Sequence, residues 1–220
     1  MQTHSLNTFL LWCLGAYLAG SIPFGLILVK LAGKGDVRAQ GSGNIGATNV
    51  LRAGGKALGI LTLLLDVAKG FAPVWLARHF GFPAEALSWV ALAATAGHIF
   101  TPWLKFQGGK GVATALGAIL GYHPAMALPS LGAFALCVAA FRYVSLGSIV
   151  AALIVIPTAL GLFGTWACLP FLQADLARYG VVAWILLPML VVRRHAANIQ
   201  RLLSGTESKL WGSHKESRHD

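Results

Sequence analysis

Seven apolar runs occupy most of this 220-residue chain: Leu6–Leu31, Ala57–Ala77, Ala84–Leu104, Val112–Gly121, Pro124–Phe141, Leu146–Gly164 and Tyr179–Val192. About 20 residues of helix cross roughly 30 Å of hydrocarbon, and most of these runs approach or exceed that length. Only 11% of residues are charged against 56% hydrophobic. A soluble domain of this size would carry about twice that charged fraction. The chain therefore reads as an all-α polytopic integral membrane protein of about seven transmembrane helices. It forms one domain over residues 1–220, with a short polar tail at 205–220.

The fourth run is about half of what a span needs. It is either tilted toward Met126, a half-helix, or the first arm of a broken re-entrant pair with Pro124–Phe141. In the last case Gly117, Gly121, Pro124 and Pro129 would supply irregular backbone, which a membrane tolerates only inside protein or around a cavity.

The basic residues orient the bundle. With the N-terminus outside, fourteen of the 17 Lys and Arg fall on the cytoplasmic side, only Arg78 and Arg178 lie outside, and Lys69 sits within a span. Cytoplasmic loops carry the excess of Lys and Arg, so the C-terminus is expected in the cytosol. The sequence pI of about 10.0 does not imply nucleic acid, because the cations flank spans rather than form a solvated stripe. Cys13, Cys137 and Cys168 form no metal or disulfide pattern. The first apolar run is too long for a signal-peptide core and reads as a retained helix.

Three polar stretches interrupt the apolar chain, all on the expected cytoplasmic side. The first, G41-S-G-N-I-G-A-T-N-V-L-R52, carries glycines that let backbone N–H groups approach an anion. A helix from about Asn44 to Lys56 would place Asn49, Arg52 and Lys56 on one face. The second, 97–114, contains F106-Q-G-G-K-G111. It is not a Walker A motif, yet Gly108, Gly109, Lys110 and Gly111 opening a helix describe a phosphate nest. His98 lies just before it. The third, 194–207, read as a helix, aligns Arg194, Asn198 and Arg201, with His195 beside Asn198 and Gly205 as the stop. Asp66 and Lys69 form an intramembrane pair that either pins helices or serves the site. Arg142, Ser145 and Glu207 are further candidates. No clustered acids offer a metal site, so neither metal nor cofactor is expected.

The motifs S-G-N-I-G-A-T-N-V-L-R, G-H-I-F-T-P-W-L-K-F-Q-G-G-K-G-V-A-T and R-R-H-A-A-N-I-Q-R-L-L-S-G-T-E resemble those of the bacterial acyl-phosphate-dependent glycerol-3-phosphate acyltransferases, the PlsY family. G20-S-I-P-F-G25 and L65-D-V-A-K-G70 are similar to that family too. The resemblance implies seven helices in the bacterial inner membrane, cytoplasmic motifs, and acyl transfer from acyl phosphate to the 1-position of glycerol 3-phosphate, with membrane lipid around it. On this reading Ser42, Asn44, Thr48, Asn49, Arg52, Asn198 and Arg201 bind glycerol 3-phosphate. Gly108, Gly109, Lys110, Gly111 and His98 bind acyl phosphate, and His195, Lys110 and Asn198 are catalytic. The base is either His195 or an oxygen of the acyl phosphate. A transporter for a phosphorylated solute is the competing class. It would show repeat symmetry and polarity through the bundle, and the sequence shows neither.

Overall fold

A computed structural model of the chain describes residues 5–160 and 180–210. Among these residues the structure is helical, with no strand: α1 (Leu6–Ser21), α2 (Phe24–Leu31), α3 (Ala47–Gly54), α4 (Lys56–His79), α5 (Ala84–Ile99), α6 (Val112–Tyr122), α7 (Pro124–Phe141), α8 (Val144–Ala159), α9 (Gly180–Arg193) and α10 (Ala196–Leu203). The end of the sixth run at Gly164, the outside position of Arg178 and the tail beyond residue 210 lie outside the described residues.

Leu6–Leu31, α4 and α7 are long and apolar enough to cross a membrane. The pair α9 and α10 passes the same test together but is bent by 56°. α6 and α8 are shorter apolar helices. The chain is membrane-embedded, and its described residues are all-helical.

The first run, continuous in its hydropathy, is broken. α1 ends at Ser21 and α2 starts at Phe24, with Ile22 and Pro23 between them non-helical. Proline interrupts the helical ladder and frees carbonyls. In hydrocarbon such groups need partners, and two long-range donors supply them. Lys69 Nζ donates to the Ile22 carbonyl at 2.7 Å, and Thr101 Oγ1 donates to the Ser21 carbonyl at 2.7 Å. The G20-S-I-P-F-G25 motif is thus a built-in break whose exposed backbone is capped by α4 and the 101–104 turn.

Small residues set the helix spacing. A methyl group at Gly117 would overlap the Val67 carbonyl oxygen, and one at Gly70 would overlap that of Thr114, so α4 and α6 touch backbone to backbone. α1 and α5 meet the same way through Gly20 against Ala94 and Gly97 against Tyr17. Such approaches favour helix association where lipid removes the hydrophobic drive. Gly117 and Gly121 therefore act as packing residues inside a regular helix, not as a break. Pro129 likewise sits within α7. Residues 112–141 form two helices, α6 and α7, joined at His123. Trp184 of α9 is fully buried and meets Tyr122 edge to face at 4.9 Å.

Gly117→Val should lower stability by about 1–3 kcal/mol or more, the usual cost of overpacking, because the obstacle is backbone. Thermal melting in detergent checks this, with Gly132→Ala as control, since Gly132 has nothing within 4 Å. Equal melting of both variants would contradict the α4–α6 seam.

Candidate active site

The first polar stretch is organised around one amide. Asn49, 2% exposed, accepts from the Ser42 N–H at 2.9 Å through Oδ1. Its Nδ2 faces the carbonyls of Val37, Gln40 and Asn44 at 3.0, 3.0 and 2.8 Å. Asn44 Oδ1 accepts from the Gly46 N–H at 2.8 Å, a side-chain turn that leads into α3. Both asparagines thus spend hydrogen bonds shaping the loop, and the Asn49 donors expected for substrate are occupied. α3 stops at Gly54, and Gly55, at φ +95°, sends the chain into α4. Lys56 therefore begins a new helix, and the expected single face of Asn49, Arg52 and Lys56 is not formed. The Ser42, Thr48 and Arg52 side chains make no hydrogen bond among the described residues.

The glycine loop also differs from the expected nest. The Gly108 N–H donates to the Ile99 carbonyl at 3.0 Å, and the Gly109 N–H donates to that of His98 at 3.1 Å. Those two amides face protein rather than an anion. Their carbonyls are taken as well: Arg194 Nη2 donates to Gly108 O at 2.7 Å, and Arg194 Nε donates to Gly109 O at 3.2 Å. What remains for a phosphate is Lys110 and the start of α6, where Gly111 is the left-handed N-cap at φ +83°. A methyl at Gly108 would overlap the His98 carbonyl, and one at Gly109 would overlap His98 Nε2. These glycines are required for close approach to α5.

Beneath the loop lies a buried polar cluster. Lys69 Nζ pairs with Asp66 Oδ1 at 2.7 Å, and His98 Nδ1 lies 3.7 Å from the same oxygen. With Lys69 also capping Ile22, the pair ties α4 to the break between α1 and α2. This fits the helix-pinning half of the expectation for Asp66 and Lys69. His98 supports the loop from below.

The third stretch bends where a straight helix was expected. α9 ends at Arg193 and α10 starts at Ala196. Arg194 therefore leaves the face of Asn198 and Arg201 and turns to the glycine loop. Asn198 Nδ2 and Arg201 Nε donate to the two oxygens of Glu207, each at 2.7 Å. Burial alone would raise the Glu207 carboxyl, but Ser145, Asn198 and Arg201 together hold it below its usual value. Gly205, at φ +73°, ends the helix as anticipated. Arg142 is the left-handed cap of α7, and its carbonyl accepts from the Leu210 N–H at 2.8 Å, which moors the segment after α10.

His195, 1% exposed, places Nδ1 2.8 Å from the Val191 carbonyl. A carbonyl only accepts, so Nδ1 carries the proton and Nε2 is left as an acceptor. Burial pushes this imidazole down to about 4, against the Val191 bond that pulls it up. Lys110 is likewise lowered to about 8 by burial first. Glu207 opposes that shift, and Arg201, Arg52 and Arg194 add to it. The three stretches, far apart in sequence, therefore meet around Lys110. Among the described residues no group of three His, Cys, Asp or Glu side chains could hold a metal ion.

A membrane-embedded helical bundle with a cation-rich site at one end is the class these features define. The profile of the glycerol-3-phosphate acyltransferase family matches residues 10–205. A glycerol-3-phosphate acyltransferase of Trichlorobacter lovleyi is 48% identical over 200 residues, covering 91% of this chain and 96% of that protein. One from Burkholderia ambifaria is 45% identical over 203 residues, covering 91% and 90%. The crystal structure of PlsY, an integral membrane glycerol 3-phosphate acyltransferase, in its glycerol 3-phosphate form matches with a TM-score of 0.81 at 40% identity, over 93% of this chain and 96% of that one. Its lysophosphatidic acid form matches with a TM-score of 0.76. The chain belongs to the glycerol-3-phosphate acyltransferase family.

The resemblance read from the motifs is thereby borne out. Sequence reasoning missed Arg194 as a partner of the glycine loop. The adjacent pair Arg193–Arg194 marked a cytoplasmic helix end, but nothing in it told which arginine turns inward.

Proposed function

We propose that the chain transfers an acyl group from acyl phosphate to the 1-hydroxyl of glycerol 3-phosphate, giving lysophosphatidate and phosphate. The observation that carries this is that Arg52, Arg194 and Arg201, drawn from the first and third stretches, lie near enough for their charges to act on Lys110 of the second, with Glu207 opposing them. Two phosphorylated substrates repel each other, and such a cluster offsets that repulsion. Arg52 and Arg201, with Ser42 and Thr48, hold glycerol 3-phosphate in a loop shaped by Asn44 and Asn49. Lys110 and the start of α6 at Gly111 hold the acyl-phosphate phosphate. Asn198 is fixed by Glu207, its Nδ2 donating to the carboxylate at 2.7 Å. A groove of about 610 Å³ next to the glycine loop is walled by Leu26, Ile27, Leu104 and Trp103 together with the cations Lys30, Arg38 and Lys105, so the acyl chain would lie along its apolar part and the cations would face an anionic headgroup.

In the reaction the 1-hydroxyl oxygen bonds to the acyl carbonyl carbon, and the carbonyl carbon–phosphate oxygen bond breaks. The departing phosphate keeps that electron pair and ends with the hydroxyl proton. His195, lowered to about 4, is a weak base. Its Nε2 instead accepts the hydroxyl hydrogen bond and aims the oxygen. Lys110 stabilises charge on the leaving phosphate. Acyl phosphate is already activated, so no covalent enzyme intermediate is needed, and orientation can supply about 7–11 kcal/mol.

The full topology belongs to the same proposal: seven spans, N-terminus outside, C-terminus and active site on the cytoplasmic face of the bacterial inner membrane. An impermeant thiol reagent on single-cysteine variants should label positions 107 and 205, both exposed, from the cytosolic side only. Labelling of those two from opposite sides would break the shared site.

The deciding assay gives purified protein glycerol 3-phosphate with either acyl phosphate or acyl-CoA and measures lysophosphatidate by mass. Product from acyl phosphate alone is the expected result. Robust use of acyl-CoA would overturn the donor assignment, and no product from either would return the transporter reading.

A further inference from the structure

The peptide groups on either side of Gly109 are held very differently. The Gly108–Gly109 peptide is fixed at both ends: its carbonyl accepts from Arg194 Nη2 at 2.7 Å, and its N–H donates to the His98 carbonyl at 3.1 Å. The Gly109–Lys110 peptide has one partner among the described residues. Its carbonyl accepts from Arg194 Nε at 3.2 Å, and its N–H is unspent. Glycine imposes little conformational preference of its own. Without a partner this peptide could rotate and turn its carbonyl, rather than its N–H, toward an incoming anion. A carbonyl and N–H of one trans peptide point in opposite directions, so pinning the oxygen on Arg194 turns the Lys110 N–H away from the guanidinium. It also fixes where the Lys110 side chain leaves the backbone.

We propose that Arg194 is the positioning residue of the glycine loop, setting the orientation of Lys110 for the phosphate of the acyl donor while leaving the acceptor subsite largely alone. This rests on the reading of Lys110 as the donor-phosphate residue. The planar fork is essential to it, because two adjacent carbonyls must be held in a fixed relation and a lysine ammonium is a single point. Arg194 also adds a cation near Lys110. The charged and titratable groups facing Lys110 are Arg52 from α3, Arg201 from α10, Glu207 and His195 beyond them, and Arg194 itself.

The test compares Arg194→Met, Arg194→Lys and Lys110→Ala with the parent enzyme, varying acyl phosphate and glycerol 3-phosphate separately. Arg194→Met should raise KM for acyl phosphate about tenfold or more and KM for glycerol 3-phosphate by less than about threefold, since two charge-assisted bonds to the loop are lost. The alkaline limb of kcat/KM for the donor should move to higher pH, because one cation repelling the Lys110 proton is gone. Arg194→Lys keeps that charge without the fork. It should leave the limb in place and still raise the donor KM. Lys110→Ala with an unchanged donor KM would overturn the underlying reading. A raised donor KM in Lys110→Ala with a normal one in both Arg194 variants would overturn the positioning role alone. Both KM values rising together in Arg194→Lys, with a fall in melting temperature, would make Arg194 a general structural tie and overturn the proposal. Arg194→Lys decides the matter if Arg194→Met fails to fold.

Discussion

Lys110→Ala should lower kcat/KM for acyl phosphate roughly ten- to hundredfold while leaving the melting temperature nearly unchanged. The Lys110 side chain is half-buried and makes no hydrogen bond among the described residues, so little of the fold depends on it. In the proposed reaction its charge is left for ligand. One charge-assisted contact to phosphate is worth about 1.5–3 kcal/mol, and each 1.36 kcal/mol is about tenfold in rate. The pH profile gives a second reading of the same residue. Burial, with Arg201, Arg52 and Arg194, lowers Lys110 to about 8 despite Glu207. In the proposed reaction the protonated form holds the phosphate. Donor kcat/KM should therefore be flat below that value and fall as pH rises through about 8. The limb belongs to Lys110, so it should vanish in Lys110→Ala. Initial rates from pH 6 to about 10 with melting curves for each protein check this. Near-normal donor kinetics in the variant, or an alkaline limb that survives it, would remove Lys110 from the donor site.

Glu207→Gln should be nearly as damaging although it changes one atom. The carboxylate accepts from Asn198 Nδ2 and Arg201 Nε through separate oxygens, each at 2.7 Å. An amide has one oxygen, so one of those donors must face an NH2 group instead. The side chain of Glu207 is 8% exposed but that of Arg201 is 41% exposed, so water screens part of their pairing. The loss should sit near the lower end of the charge-assisted range, about tenfold in kcat/KM for glycerol 3-phosphate. Melting should also fall, because the segment after α10 is tied down through this carboxylate. Glu207 pulls the Lys110 value upward. Removing its charge should move the alkaline limb to lower pH, the opposite of Arg194→Met. A limb shifted in the same direction by both variants would contradict the electrostatic arrangement around Lys110.

The helical membrane class was legible because apolar length is a local property: a run either spans hydrocarbon or it does not. The Asp66–Lys69 pair was legible for the same reason, since residues three apart on a helix are neighbours. The motifs pointed to the right family and to the convergence of three stretches. The errors share one cause. Pro23 looked like part of a continuous span because the donors that make its break tolerable, Lys69 and Thr101, lie 47 and 80 residues from the Ile22 and Ser21 carbonyls they cap. Gly117 and Gly121 could be read either as a break or as helix because the sequence does not show what faces them. Here it is the α4 backbone, which only a residue without Cβ can meet.

The sequence by itself determined that the chain lies in a membrane, that it is helical, and which segments are polar and cation-rich, because hydropathy, charge bias and glycine spacing are written residue by residue. Only the tertiary structure decided how those segments divide the work. Asn49 spends its donors on its own loop. The Gly108 and Gly109 amides face α5 rather than phosphate. Arg194 crosses 85 residues of sequence to hold the Gly109 carbonyl. A polar group satisfies the nearest partner that packing offers, and which partner is nearest depends on the whole fold.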